Sequence, residues 1–307
     1  MALKSLWMLL ATFFFALVAL FTKMASDYYN VWEIIFFRSL FGVALCLTVL
    51  KKKHVSLATR HPWRHVVRCA IGTGCITLGV YVLSILPLGT AQTFAYTGPL
   101  WFCLFLAAAA RLSGERLEKP LLAAVAAGFA GVLLILRPDF PGSALTGALL
   151  GVLVGCLGGA ADFMIRDLSR HQEPPERIVF YFTLCGTATG LAGSLATGFS
   201  PHAAEGVALL LGIGAAATAA QLSLTTGWTY GHPLLNSVYQ FAGIPFAVIL
   251  GFFVFGERLD AVTLGGIIVV TGAGITATVL RLTAEKRRAA EDGAAGLKTI
   301  PTDPIHE

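Results

Sequence analysis

The chain has 307 residues, of which 56% are hydrophobic and 13% charged. A soluble domain carries about 25% charged residues, so the composition argues against a soluble protein and for an integral membrane one. The net charge of +5 does not mark a nucleic-acid binder, because the basic residues fall in the short segments between apolar runs.

A membrane-spanning helix needs roughly 20 mostly apolar residues, and ten such runs are predicted. The first five cover 6–22, 31–50, 66–86, 90–110 and 117–136; the second five cover 145–164, 178–197, 206–225, 233–254 and 261–280. Lys4 ahead of the first run is a feature shared with secretory leaders. A matching run opens the second half, however, so the first is expected to be retained. The polar segment 283–307, with Pro301 and Pro304, is expected to be a disordered cytoplasmic tail.

Orientation follows from Lys and Arg. If the N-terminus is cytoplasmic, the inner segments hold 18 of these residues and the outer ones three, with Arg38 left out because it lies within a span. The positive-inside rule then puts both termini in the cytoplasm.

The two halves repeat one another. Gly-Glu-Arg-Leu occurs at Gly114 and again at Gly256, 142 residues later, each time between two apolar runs. Pro87 and Pro99 are twelve apart, as are Pro233 and Pro245. Glu33 and Glu176 both open the second span of their half, and Lys23 and Arg166 both close the first. Two five-helix units, 1–140 and 141–282, explain these echoes. The first unit holds four extra residues between Pro99 and Gly114, about one helical turn. Because five is odd, the second unit enters the membrane upside down. The predicted fold is therefore all-α, with ten transmembrane helices as two inverted repeats, an arrangement typical of secondary transporters.

The stretches "LPLGTAQTFAYTGPL" leading into "SGERL", "NSVYQFAGIPFAVILGFFVFGERL", and the glycine-rich last helix of each half carry a resemblance. The chain resembles the drug/metabolite transporter superfamily, specifically the bacterial EamA-type ten-helix transporters, over about residues 6–282. The resemblance implies a multi-pass inner-membrane protein with a central cavity between the first, third and fourth spans of each half.

Individual residues suggest roles. Gly114 and Gly256 can take the left-handed conformation that ends a helix. Glu115 and Glu257 then sit at the next helix N-terminus, where the dipole favours them, with a gating ion pair as the alternative. Arg38 lies within the second span and is either an interface anchor or an outer gate and substrate contact. Asp162, near the inner end of the sixth span, can pair with Arg166 four residues on, or carry a proton that couples transport. Tyr81, Gln92, Thr93, Tyr96, Trp101, Gln221, Trp228, Asn236, Tyr239 and Gln240 cluster in the third, fourth, eighth and ninth spans. Buried in lipid they need partners or water, which fits a wet, neutral, aromatic-lined cavity; some of them would be interhelical glue or interface residues. Tyr96, Gln92, Tyr239 and Gln240 are the foremost of these. Pro99 and Pro245 break the helical ladder as hinges or packing kinks. Gly128, Gly131, Gly265, Gly266, Gly272 and Gly274 allow close helix packing, with a homodimer face as a further use.

The six cysteines lie in or beside apolar runs without metal-ligand spacing, and neither a metal nor a cofactor is called for. No GxxxxGK[ST] loop occurs, so ATP is not the direct energy source. The expected function is export of a small metabolite, an amino acid or related compound, by alternating access in the inner membrane, and not enzyme catalysis. A drug exporter of the same fold is the alternative, although no carboxylate is predicted away from the span ends. A membrane enzyme acting on lipid is the remote one; the cytoplasmic loops offer His61, His65 and His171 for it, but they form no motif.

Overall fold

A computed structural model describes residues 2–85, 88–113, 118–137, 145–201, 204–256 and 260–298. Gly114, Glu115, Arg116, Glu257 and Arg258 lie outside them, as do Leu86 and Pro87. After a short 3-10 helix, Ala2–Ser5, come α1 (Leu6–Ala25), α2 (Val31–Lys52), α3 (Pro62–Ile85), α4 (Leu88–Ala95), α5 (Gly98–Ser113) and α6 (Lys119–Leu136). The second half holds α7 (Leu145–Arg170), α8 (Pro175–Thr197), α9 (Ala204–Tyr230), α10 (Pro233–Gln240), α11 (Gly243–Phe255) and α12 (Ala261–Lys298). Nine helical segments among the described residues are long and apolar enough to cross a membrane. Large apolar side chains on the outside, such as Leu104, Leu195, Phe253 and Ile268, are more than half exposed. Such a surface suits lipid and would be a liability in water.

Two differences from the sequence expectation stand out. Several helices run longer than predicted: α7 continues to Arg170 and α9 to Tyr230, and α12 continues to Lys298, into the segment expected as a tail. The predicted fourth and ninth spans are kinked: each loses its regular helical bonding for two residues, and at the second the turn residues Phe241 and Ala242 keep right-handed helical dihedrals. Each is two helices, α4–α5 and α10–α11, joined by a tight turn just before its proline. Proline at position i has no N–H to donate and its ring clashes with the carbonyl of i−4. For Pro245 that carbonyl belongs to Phe241, which instead accepts from Ile244 N three residues on. At the other break Thr97 N donates to the Phe94 carbonyl, and so does the Thr97 hydroxyl at 2.6 Å.

Helices pair across the halves. α1 lies along α9 and α3 along α7; α2 packs on α8, and α6 on α12. Exchanging the first and second halves turns α1–α9 into α7–α3 and returns α2–α8 and α6–α12 to themselves. Small residues permit the closest crossings. A Cβ on Gly131 would stand 3.0 Å from the Gly266 carbonyl oxygen, and one on Gly266 2.8 Å from that of Gly131. Gly265 and Gly272 face open space.

One end of the bundle, the terminal face, gathers both the chain start and the end of the last span. Ser5 Oγ accepts from His232 N at 2.8 Å. Glu118 receives Arg281 Nη1 at 2.9 Å and lies 3.6 Å from His232 Nε2. The same face carries a polar clasp between the α2–α3 and α7–α8 loops. Lys53 pairs with Glu176, Arg64 with Asp167, and Thr59 donates to Glu173, which also pairs with Arg177. At the opposite face Asn30 caps α2 with a capping box, accepting from Trp32 N and Glu33 N. Fully buried Glu33 receives Ser200 N at 2.7 Å and its hydroxyl at 2.8 Å, and the Asn30 amide donates to the Gly198 carbonyl. Arg137 and Asp260 pair there too. Gly256 ends α11 in the left-handed conformation, φ +65°, as its sequence context predicts.

Candidate functional site

The two helix kinks meet in the interior. A Cβ on Gly243, which opens α11, would lie 2.9 Å from the Tyr96 hydroxyl and 3.6 Å from Thr12 of α1. Residues 151, 155 and 159 of α7 are glycines, and their missing side chains make room for Phe94, Thr97 and the Gly98 backbone. Two strands of polar chemistry flank this meeting point.

On the first, Gln240 at the end of α10 donates to Asp162 Oδ2 of α7 at 2.7 Å. Asp162 therefore bonds across helices and not with Arg166 on its own helix. Because α7 continues to Arg170, the carboxylate also sits two turns inside the helix rather than at its end. Trp228 stacks on Phe102 with ring centroids 4.2 Å apart. Its buried indole N–H is near enough to Asp162 to act on it, yet meets no acceptor with hydrogen-bond geometry.

On the second, a crevice runs between α2, α3, α8 and α9. Ile35, Arg38, Thr73, Thr77, Phe182 and Gln221 are among its walls, and its cavity volume of about 20 Å³ is room for about one water. Ile35 and Thr77 also line a second opening with Asn30 and Trp32, so the crevice leads toward the opposite face. Arg38 has no ion pair or hydrogen bond among the described residues. The Oε1 of Gln221 and the hydroxyl of Thr73 are buried without partners.

Other predicted site residues are placed elsewhere. Tyr239 is buried with its hydroxyl on Thr278 of α12. Asn236 is fully buried and donates to the Gly227 carbonyl at 2.7 Å, clamping α10 to α9. Trp101 lies beside Phe105, its Cβ against Gly159. Tyr81 is 54% exposed. Gln92 is partly buried one turn before the first kink, and its carbonyl receives Tyr96 N. Pro99 and Pro245 start the second half-helices.

The charge count grouped Arg68 with the cytoplasmic cations, at the start of the span expected over 66–86. The structure puts it inside α3, 4% exposed, with its guanidinium carbon 4.3 Å from the centre of the Phe182 ring. The signal that could have found it is its place seven residues before Cys75, on the helical face that meets α7 through Cys75 Sγ and the Val154 carbonyl.

A bundle of membrane-spanning helices, kinked at its centre beside a polar interior, defines a polytopic transporter. The EamA-like transporter family profile matches residues 2–137 and again 145–279, and the chain belongs to that family. It is 28% identical over 262 residues to the pseudopaline exporter CntI of Pseudomonas aeruginosa, covering 85% of this chain and 91% of that one. It is 30% identical over 263 residues to a riboflavin transporter of Rhizobium johnstonii, covering 82% and 83%. It is 23% identical over 286 residues to an S-adenosylmethionine uptake transporter of Rickettsia prowazekii, covering 92% of each. A crystal structure at 21% identity superposes with a TM-score of 0.78 over 90% of this chain and 98% of that one, which shows a shared fold. The protein is thus a multi-pass transporter of the bacterial inner membrane and not an enzyme.

Proposed function

We propose that the chain is a secondary transporter that exports a small metabolite, an amino acid or related compound, by alternating access. Two inverted five-helix units, with both termini in the cytoplasm, supply the two access states. Direction belongs to the proposal, since the relatives' names include both an exporter and an uptake transporter. The observation that carries the reading is the Asp162–Gln240 bond. It joins α7 to the last residue of α10, beside the proline kink of the ninth span and inside the bundle, where an ionisable group is costly and by default functional. Pro99 and Pro245 act as hinges for the half-helices, and Asp162 is the group placed to couple the movement to protons.

Mass spectrometry of culture media tests this. Cells expressing the intact protein are compared with cells expressing Gln240→Leu at matched membrane levels. The expected result is a small solute enriched in the medium by the intact protein and diminished by the variant. An unchanged solute profile from folded, membrane-inserted protein would overturn the reading. A drug exporter of the same fold is the second reading, favoured by the depth of Asp162 in α7. It predicts raised resistance to cationic compounds that is lost in Asp162→Asn.

A further inference from the structure

His61, His65 and His171 sit in the terminal-face clasp between the α2–α3 and α7–α8 loops. His65 stands in the first turn of α3, ahead of the span expected over 66–86, and its side chain is 3% exposed. Neither of its ring nitrogens has a partner with hydrogen-bond geometry among the described residues. Nε2 lies 3.4 Å from Glu173 Oε2, but that carboxylate already accepts from Thr59 and Arg177. The ring packs on Tyr181 of α8, with centroids 4.6 Å apart. Of the charged groups that face it, Glu173 favours a positive imidazole, and Arg177 and His61 oppose one. Burial, helped by Arg177 and His61, outweighs Glu173 and holds His65 below the ordinary 6.5, so the closed clasp disfavours its charge.

A second histidine contact spans the same joint. His61 of the α2–α3 loop and His171 of the α7–α8 loop meet edge to face, with ring centroids 4.9 Å apart. Asp167 Oδ1 is 3.7 Å from His171 Nδ1, but Asp167 is also paired with Arg64. A proton on both rings sets like charges against each other across the clasp.

We infer that the clasp is an acid-released latch: protons taken up by His65 and by the His61–His171 pair part the α2–α3 loop from the α7–α8 loop and open the terminal face. The direction follows from linkage. A histidine held below its ordinary value in the closed state binds protons better in the open one, where water hydrates the ring. Closure is therefore at full strength well above about pH 6.5 and weakens as pH falls below it. Acid on the terminal side thus raises the share of molecules open to that side. The latch rests on the transport reading for its place in the cycle, but its opening is measured without solute, so either fails alone.

Amide hydrogen exchange of the full-length protein in lipid nanodiscs tests this, read by mass spectrometry on peptides spanning 51–61 and 171–177 from pH 8 to pH 5.5. Division by the intrinsic exchange rate at each pH leaves the protection that the closed clasp confers. Protection of both loops is expected to fall about tenfold over that range, because a histidine of ordinary affinity in the open state is about 90% charged at pH 5.5. Glu173, held below 4.5, does not titrate there. In the double variant His61→Gln, His65→Gln, protection is expected to stay level within about twofold. Protection that stays level or rises on acidification in the intact protein overturns the latch, and so does an equal fall in the double variant. If the double variant protects neither loop at any pH, exchange of the His65 C2 hydrogen in the intact protein decides. It should titrate below the ordinary 6.5, and titration at or above that value overturns the latch.

Discussion

At the scale of single residues, the interior is set by where side chains are missing as much as by where they are present. A Cβ on Gly159 would stand 2.6 Å from the Gly98 carbonyl oxygen and 2.7 Å from Phe102 N, both rigid backbone atoms. Gly159→Ala is therefore expected to cost about 1–3 kcal/mol through overpacking and to lower the melting midpoint of the purified protein. Gly265→Ala, which faces open space, is expected to leave the midpoint unchanged. If the two behave alike, the close approach of α5 to α7 is not what holds the core. The sequence marked glycine-rich helices but could not say which glycines touch, because a period of 3.6 residues names a face and not its neighbour. Arg68 shows the same limit from the other side. It falls just inside the predicted span 66–86, beside Arg64 and His65 where a cation can reach the interface, and its seat on Phe182 reveals it as interior.

At the scale of elements, the repeat was legible because proline, glycine and glutamate punctuate it at nearly constant offsets. The equivalence of Glu33 and Glu176 acquires a physical meaning in the structure. Each opens a helix of one half and binds the α2–α3 or α8–α9 loop of the other, Glu33 on Ser200 and Glu176 on Lys53. What the sequence withheld was how far each proline disturbs its helix, two residues of lost regular bonding in each span. Proline predicts a lost hydrogen bond, but whether a helix bends or stops depends on what fills the gap, here Tyr96 against Gly243. The terminal-face clasp adds a pH dependence. Burial works against the charge of Glu173, but hydrogen bonds from Thr59 and Arg177, with the His65 imidazole 3.4 Å away, outweigh it and hold its carboxyl below the ordinary 4.5. A lowered carboxyl contributes stability that is fully present above its unfolded value and is lost as pH falls through the folded one. His65, which Glu173 helps to charge, titrates in the same clasp at higher pH, so the Glu173 carboxyl is read below about pH 4.5: there the melting midpoint of the intact protein minus that of Glu173→Gln should shrink as pH falls. A difference that keeps growing in that range would contradict this assignment.

At the scale of the whole molecule, two features were readable without coordinates: the membrane class, from composition, and the ten-run layout, from the doubled phrase. The cavity was only half legible. Of the aromatic and amide residues expected to line it, Tyr239 and Asn236 spend their polar groups on Thr278 and Gly227 within the bundle. Polar residues in lipid must bond something, and sequence alone does not distinguish a neighbouring helix from a solute. In the alternating-access account the clasp at the terminal face has to open and close once in every cycle.

Bridging that clasp tests the account most directly. Lys53 and Glu176, paired in the structure, are replaced together by cysteine and joined with a short cleavable bis-thiol reagent, with the single-cysteine variants as controls. Transport of the exported solute in vesicles is then followed before bridging, after it, and after cleavage. The account predicts that bridging stops transport and that cleavage restores it. Transport that continues at full rate through a fully bridged protein would contradict alternating access at this face.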